Sequence, residues 1–168
     1  GAMPPVSNAN YVWILHMLSK MDESNGIAGF LLANGALNAG AGGGDEQSEN
    51  SEYIIRKQLL ERDKVEAIIV LPRDMFYTTD ISVTLWILNN NKKAHELNGR
   101  QLRDRTNEVL FVDLRRWDEN SEEYVLDKNK KKKKTVLSRA QIEKIRDLYF
   151  AWQSADRTAY HDVPEYCK

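Results

Sequence analysis

The segment MFYTTD (75–80) combines residue types that could bind a ligand, namely an aromatic pair, two hydroxyls and a carboxylate. It lies in a short connection between two apolar runs, although connections are usually polar. Thr78 and Thr79 could hydrogen-bond a ligand or the backbone, but threonine and aspartate are also common in turns. Phe76 and Tyr77 could instead plug the end of a core, because aromatic side chains bury large areas. The residues alone leave both roles open.

Three other features could bind a ligand, and each has a simpler interpretation. The Gly-rich segment 39–44 lacks the third glycine of G-x-G-x-x-G, because Asp45 occupies its place, and this favours a mobile loop. The lysines at 128 and 130–134 could contact phosphates, yet such runs are more often solvated hairpin tips. Asn34 would close a strand at the edge where ligands collect, but a turn residue needs no such role. The histidines have no His or Cys partner at metal-ligand spacing, so no metal site is predicted.

Hydrophobic periodicity predicts the elements that position these residues. Helices are predicted over 8–21, 51–63 and 138–153, and strands over 26–35, 65–72, 83–90 and 108–115. The strand at 26–35 is an unbroken apolar run, as expected of a strand covered on both faces. Ser7 or Asn8 could cap the first helix, and Asn25-Gly26 could end it.

The last predicted helix carries the clearest helical signals. Ser138 and Gln141 have the spacing of a capping box. Its predicted core stripe consists of Ile142, Ile145, Tyr149 and Trp152.

Connection lengths predict the arrangement of the strands. The strand at 26–35, the helix and the strand at 65–72 form a right-handed parallel crossover. The step from 65–72 to 83–90 is too short for a second crossover with its own helix, which needs roughly 10–12 residues at least. These two strands should therefore be antiparallel neighbours, and the fold class is α/β with a mixed sheet.

Length and composition limit the classes of protein that these elements can form. The 168 residues suffice for one domain with its own core, and 24 basic residues nearly cancel 25 acidic ones. The whole chain therefore has no charge excess that would attract nucleic acid or a membrane. Its single cysteine excludes an internal disulfide and suits a reducing compartment. No apolar stretch approaches the roughly 20 residues that span a bilayer.

Five segments, in order along the chain, resemble the modification subunit of type I restriction-modification systems. They are PPVSNANYVWILHML (4–18), GIAGFLLANGAL (26–37), IRKQLLERDKVEAIIVLPRDMFYTTDISVTLWILNNNK (55–92), VLFVDLR (109–115) and IEKIRDLYFAW with YHDVPEYCK (142–152, 160–168). The most specific parts are the opening NANY (8–11) and the segment from Leu71-Pro72 to Thr79. The resemblance covers nearly the whole chain after residue 3.

The resemblance implies a DNA adenine methyltransferase that uses S-adenosylmethionine and acts on a base swung out of the duplex. It also implies a partial Rossmann-like class I methyltransferase sheet, with helices on both faces and the last strand antiparallel and inserted between its neighbours. An extruded base needs a face that replaces its lost stacking, and in related enzymes the loop between the last two strands supplies one. Phe76 is then the first candidate and Tyr77 the second. Thr78 and Thr79 complete this target-base site.

The sequence departs from the family pattern where catalysis would be expected. It has no Gly-rich cofactor turn and no Asn-Pro-Pro-aromatic motif, since Pro4-Pro5 do not form one. No catalytic or cofactor-binding residue is therefore predicted within the chain. We expect a tag remnant at 1–3 and the second half of a methyltransferase α/β domain at 4–91. An extension at 92–168 should carry short strands, a Lys-rich loop and a C-terminal helix packed on the same domain.

Two functions remain open. The first is a piece of an adenine methyltransferase that binds double-stranded DNA with a specificity subunit and a restriction subunit, in the cytoplasm of a prokaryote. The second is a non-catalytic α/β interaction module that shares the sheet. The reading frame upstream of Pro4 distinguishes them, because only the first requires an Asn-Pro-Pro-Phe or -Tyr run there. We expect the isolated chain to be inactive, and to self-associate through the edge of 26–35 or cover it with its own segments.

Overall fold

The computed structural model describes residues 10–37, 51–115, 122–127, 130–164 and 167, with only the backbone described at 51, 122–127 and 130–133. Ser7, Asn8 and the Gly-rich segment 39–44 lie outside these residues. Within them the helices are Asn10–Lys20 (α1), Ser51–Glu61 (α2) and Arg139–Gln153 (α3). The strands β1 to β8 are, in chain order, Ile27–Ala33, Val65–Val70, Val83–Asn89, His95–Leu97, Arg100–Leu102, Leu110–Asp113, Glu122–Asp127 and Lys130–Thr135. No helix among the described residues is long and apolar enough to cross a membrane.

Four strands form a mixed sheet in the order β1-β3-β2-β6. β3 is antiparallel to β1 on one side and to β2 on the other, and β2 is parallel to β6. β1, β2 and β6 therefore run in one direction, with β3 reversed between β1 and β2. The predicted antiparallel pairing of β2 with β3, and the mixed α/β class, are confirmed. The physical reason is the short connection at 71–82, which contains no helix.

Helices cover both faces of this sheet. α1 and α2 pack on one face, and the largest core residues there are Tyr11, Ile14, Leu32, Ile55, Leu59, Val65, Ile68, Trp86 and Leu88. α3 packs on the other face, and the core residues there are Ala67, Ile69, Leu110, Val112, Leu114, Trp152 and Cys167. Successive residues of a strand point to opposite faces, so Ile68 and Ile69 of β2 serve the two cores in turn. Burying a side chain of this size contributes about 1.5–3 kcal/mol, and five of the six residues of β2 are buried.

β1 differs from the prediction that both of its faces are covered. Ile27 and Leu31 are 50% and 48% exposed, whereas Leu32 belongs to the core. Within the described residues β1 pairs with β3 alone, so it is an edge strand with one covered face. An unbroken apolar run therefore does not distinguish a strand buried on both faces from an edge strand with an apolar outer face.

The predicted helix ends are correct for α3, whereas the predicted carboxyl end of α1 is wrong. α1 ends at Lys20 rather than at Asn25-Gly26. The carboxylate of Asp22 accepts hydrogen bonds from the backbone N–H groups of Ser24 and Asn25, at 3.0 and 2.7 Å, and so forms a turn before that point. At α3 the capping box is confirmed.

The predicted core stripe of α3 is correct except at its first position. Ile145, Tyr149 and Trp152 pack with the core of that face, and Leu148 joins them. Ile142 is exposed. It lies in the first turn of the helix.

A buried polar network fixes the amino end of β2. The carboxylate of Glu66 accepts hydrogen bonds from Arg105 Nε at 2.9 Å, Gln153 Nε2 at 3.0 Å and Asn89 Nδ2 at 2.6 Å. Burial raises the pKa of Tyr149, and the neighbouring Glu66 carboxylate raises it further. The network joins β2, β3 and α3 at the edge of the sheet opposite to the connection at 71–82.

Two small hairpins lie outside the main sheet, one formed by β4 and β5 and the other by β7 and β8. Lysines 130–134 form most of β8, which pairs antiparallel with β7. These lysines therefore form a strand rather than a hairpin tip, and Lys128 lies outside the described residues.

Candidate functional site

The carboxyl ends of β1, β2 and β6 meet at one edge of the sheet, which is where open α/β sheets bind their ligands. The β2–β3 loop, residues 71–82, leaves the sheet at this edge. The turn after β1 lies beside it, since the backbone N–H of Asn34 donates to the carbonyl of Ser82 at 3.1 Å. Beyond β2, the N–H of Leu114 donates to the carbonyl of Val70 at 2.9 Å. The β2–β3 loop therefore lies between the carboxyl ends of β1 and β6.

Hydrogen bonds close the base of the β2–β3 loop. The backbone N–H of Leu71 donates to the carbonyl of Val83 at 2.9 Å, and the hydroxyl of Ser82 donates to the carbonyl of Leu71 at 2.7 Å. Further out, Arg73 donates from Nε to the carbonyl of Asp80 at 3.3 Å. These contacts hold both arms of the loop together, so its outer part is displayed on a fixed base.

The four residues predicted to bind a target base lie together on the outer part of this loop. Tyr77 is 76% exposed, and Phe76 is half-buried. Thr78 is exposed, whereas Thr79 is half-buried and its Oγ1 accepts the N–H of Ile81 at 3.4 Å. In the described part of the chain neither ring belongs to the two buried cores. The structure thus exposes Tyr77 more than Phe76, and which of the two rings stacks on a base stays a prediction.

Lys134 contacts this loop and was not predicted as a site residue. It is 3% exposed, and its Nζ donates to the carbonyl of Phe76 at 2.5 Å and to Asp80 Oδ1 at 3.2 Å. Interpreting the run as solvated, or as phosphate-binding, is wrong for this lysine, because its side chain lies inside the protein. In a run of identical residues no local signal marks the one that turns inward.

A second contact joins β8 to the same loop. The backbone N–H of Thr135 donates to the carbonyl of Asp74 at 3.1 Å. Asp74 has a φ of 63°, in the left-handed region that aspartate tolerates better than most residues. Two successive residues of β8 therefore hold the loop, one at its left-handed turn and one at its aromatic pair.

The turn after β1 is fixed by a buried polar contact with α1 and α2. The hydroxyl of Tyr11 donates to the carbonyl of Ala36 at 3.0 Å, and Arg56 Nη1 donates to that hydroxyl at 2.9 Å and to that carbonyl at 3.1 Å. Burial raises the pKa of Tyr11, although the Arg56 charge acts in the opposite direction. Tyr11 belongs to the NANY segment. At least one residue of this segment, Tyr11, therefore has a structural role in holding the turn after β1.

No described residue is assigned to S-adenosylmethionine. A Cβ built on Gly35, in the turn after β1, meets nothing within 4 Å, so the structure leaves open space at this edge of the sheet. The sequence has no Gly-rich cofactor turn of the methyltransferase type. No chemical step can be assigned to the cofactor from this chain.

A mixed α/β sheet with a reversed strand between two parallel ones, and an aromatic loop at its carboxyl edge, is the arrangement that the sequence resemblance implies for a methyltransferase. The chain belongs to the N-6 DNA methylase family, whose model matches residues 1–168.

Known proteins similar to this chain carry consistent names. The chain is 33% identical over 165 residues to the type I restriction enzyme HindI methylase subunit of Haemophilus influenzae, covering 98% of this chain and 30% of that protein. It is 32% identical over 154 residues to the MjaIX methylase subunit of Methanocaldococcus jannaschii, covering 92% of this chain and 23% of that protein. The chain thus spans about a quarter to a third of these relatives.

A solved structure shares the fold. The type I restriction-modification system methyltransferase subunit from Streptococcus thermophilus superposes with a TM-score of 0.63 and 25% sequence identity. The match covers 98% of this chain and 27% of that one.

Proposed function

We propose that the chain is the second half of the catalytic domain of a DNA adenine methyltransferase, the modification subunit of a type I restriction-modification system. Family membership supports this, as do relatives named methylase subunits that extend well beyond the matched part. In this proposal residues 4–91 complete a Rossmann-like class I methyltransferase sheet. Residues 92–168 are an extension on the same domain, which the pairing of β6 with β2 and the packing of α3 support.

The single observation that carries the assignment of the site is the display of the aromatic pair. Tyr77 is largely exposed and Phe76 half-exposed, on a loop whose base and backbone are held by hydrogen bonds at the carboxyl edge of the sheet. Exposing an aromatic ring on a well-held loop forgoes the burial that would stabilise the fold. A planar ligand that stacks on the ring gives a reason for that exposure.

In the proposed reaction this loop receives the extruded adenine. A ring of Phe76 or Tyr77 stacks on the base and replaces part of the stacking lost from the duplex, worth about 1–3 kcal/mol. The hydroxyls of Thr78 and Thr79 hydrogen-bond the base or the adjoining backbone. These residues bind and orient the base, while the groups that transfer the methyl lie outside this chain.

The proposed partners are those of the whole subunit. They are double-stranded DNA, the specificity subunit that reads the sequence and the restriction subunit of the same system, in the cytoplasm of a prokaryote. S-adenosylmethionine is the proposed methyl donor, with its main binding motif outside residues 1–168. The isolated chain is expected to give no micromolar binding of S-adenosylmethionine in calorimetric titration and no methyl transfer to DNA. Micromolar binding by this chain alone would contradict its assignment as half a domain.

Alanine substitutions at Phe76 and Tyr77, made in the complete subunit assembled with its partners, test the target-base site. Loss of the stacking ring should lower kcat/KM by about one to two decades, equivalent to about 1–3 kcal/mol, with cofactor affinity unchanged. If Phe76 instead fills the core, Phe76→Ala should lower the free energy of unfolding by about 3–5 kcal/mol. Methylation kinetics and urea unfolding of the same samples separate the two roles.

Tyr53→Ala is the matched control, because Tyr53 is an exposed aromatic residue on α2 and not on the β2–β3 loop. It should leave kcat/KM unchanged. If the folded Phe76→Ala and Tyr77→Ala variants both methylate with wild-type kcat/KM, the β2–β3 loop is not the target-base site. The alternative of a non-catalytic interaction module predicts no Asn-Pro-Pro-Phe or -Tyr run upstream of Pro4 in the reading frame.

A further inference from the structure

Lys134 is a buried charge that the target-base assignment alone does not require. Lysine is rarely buried unless it is paired, because its ammonium loses hydration. Here two acceptors on one loop surround that ammonium, the carbonyl of Phe76 at 2.5 Å and the carboxylate of Asp80 at 3.2 Å. The carbonyl belongs to Phe76, the first residue of the aromatic pair, so the ammonium binds the backbone that carries both rings.

A second buried lysine shows what a purely structural contact of this kind looks like. Lys92 is also 3% exposed, and its Nζ donates to the carbonyls of Val65 at 3.0 Å and Glu108 at 2.6 Å, and pairs with Asp63. These contacts join the connection after β3 to the start of β2, at the edge of the sheet opposite to the β2–β3 loop. Lys92 thus stabilises the sheet itself, whereas Lys134 joins a separate hairpin to a loop.

We propose that Lys134 is a positioning residue, whose ammonium fixes the carbonyl of Phe76 so that the aromatic pair is held at the carboxyl edge before DNA binds. The proposal rests on the proposed function, in which that pair receives the extruded base. A loop ordered in advance does not lose conformational entropy on binding, so affinity and rate both gain. Thr135, which holds the left-handed turn at Asp74, makes the β7–β8 hairpin a two-point brace for the loop.

Lys134→Met tests this in the complete subunit with its partners, because methionine keeps the length of the side chain and removes the ammonium. Hydrogen exchange of the amides in 74–82, followed by mass spectrometry, should accelerate about tenfold or more, the effect of losing a charge-assisted hydrogen bond. kcat/KM for DNA should fall while the Kd for S-adenosylmethionine stays unchanged. Lys134→Arg, which retains charge and N–H donors, should restore part of both losses.

Lys92→Met is the matched control at a lysine of equal burial. It should lower the free energy of unfolding without selectively accelerating exchange in 74–82. Unchanged loop exchange in Lys134→Met, or equal loop exchange in the two methionine variants, overturns positioning by Lys134. Accelerated loop exchange in Lys134→Met, together with wild-type methylation by Phe76→Ala and Tyr77→Ala, supports the brace and overturns the target-base function.

Discussion

Glu66 shows at the scale of one residue how this fold holds a charge in its interior. Its carboxylate is fully buried, and so is the guanidinium of Arg105 that pairs with it. Removing two charges from water costs free energy that their attraction repays only with good geometry and further hydrogen bonds. Gln153 and Asn89 supply such bonds to the carboxylate. Removing one partner therefore leaves the other charge without compensation.

Glu66→Gln should destabilise the chain strongly although it changes the size of the side chain very little. The variant removes the negative charge and leaves Arg105 buried beside a neutral amide, so we expect a loss of about 3–5 kcal/mol in the free energy of unfolding. Urea denaturation at neutral pH measures it. A loss below about 1 kcal/mol would mean that water reaches Arg105 and that the network does not fix the amino end of β2.

Glu108→Gln is the exposed counterpart and controls for the substitution itself. Glu108 pairs with Arg103 at 2.6 Å but is half-exposed, so its loss should cost less than about 1 kcal/mol at neutral pH. Hydrogen bonds from Arg103 are the main cause of the lowered pKa of Glu108. A carboxylate with a lowered folded-state pKa stabilises above its unfolded pKa of about 4.3, and this stability is lost as the pH falls through the folded value. Glu108→Gln should therefore weaken the acid sensitivity of unfolding in that range.

At the scale of an element, the amino end of α3 depends on its capping box. Ser138 Oγ accepts the N–H of Gln141 at 3.2 Å, and Gln141 Oε1 accepts the N–H of Ser138 at 2.7 Å. Ser138→Ala should lower the free energy of unfolding by about 1 kcal/mol, because it leaves an N–H of the first turn unpaired. Ser19→Ala, which removes an exposed hydroxyl within α1, should change it by less than about 0.5 kcal/mol. If both variants lower the free energy of unfolding equally, loss of the cap is not the cause.

The elements that sequence analysis predicts correctly are those defined by local signals. The capping box lies within four residues, and the reversal of β3 follows from the length of one connection. The outer face of β1 was predicted wrongly because its exposure depends on which strands pair beside it, and not on its own residues. Ile142 fits a helical stripe but lies in the first turn of α3, where it is exposed.

The candidate site was likewise predictable from the sequence only in part. The position of Phe76 and Tyr77 in a loop at the carboxyl edge follows from two neighbouring apolar runs and their connection. The contact between Lys134 and the loop cannot be predicted in this way. It requires the β7–β8 hairpin, which is distant in sequence, to fold back on that loop. The exposure of Tyr77 above that of Phe76 is likewise set by packing between elements. The spacing of residues within MFYTTD does not predict this difference in exposure.

At the scale of the whole molecule, the outer edge of β1 is a surface through which two copies of the chain can associate. β1 pairs with one strand in the described residues, and Ile27 and Leu31 present apolar side chains beside its unpaired backbone. Such edges attract further strands, and lysine on them discourages pairing. We therefore expect the isolated chain to self-associate with rising concentration, or to cover this edge with its own segments, and Leu31→Lys to reduce association.

Sedimentation velocity over a range of concentrations measures this association. Leu60→Lys is the matched control, because Leu60 is a similarly exposed leucine on α2. It should leave association unchanged. A monodisperse monomer whose β1 amides exchange freely with solvent would show that the edge neither pairs nor is covered.

The place of β3 in the sheet also determines the order in which the sheet can assemble during synthesis. β1 and β2 leave the ribosome before β3 exists, yet neither has its native partner until residues 83–89 emerge, since β3 lies between them. Closing a short segment costs less chain entropy than closing a long one. We therefore expect β3 to pair first with β2 across the 71–82 loop, and the resulting hairpin then to dock against β1. In that order of assembly, the same short loop that displays the aromatic pair is also the turn from which the sheet begins to form.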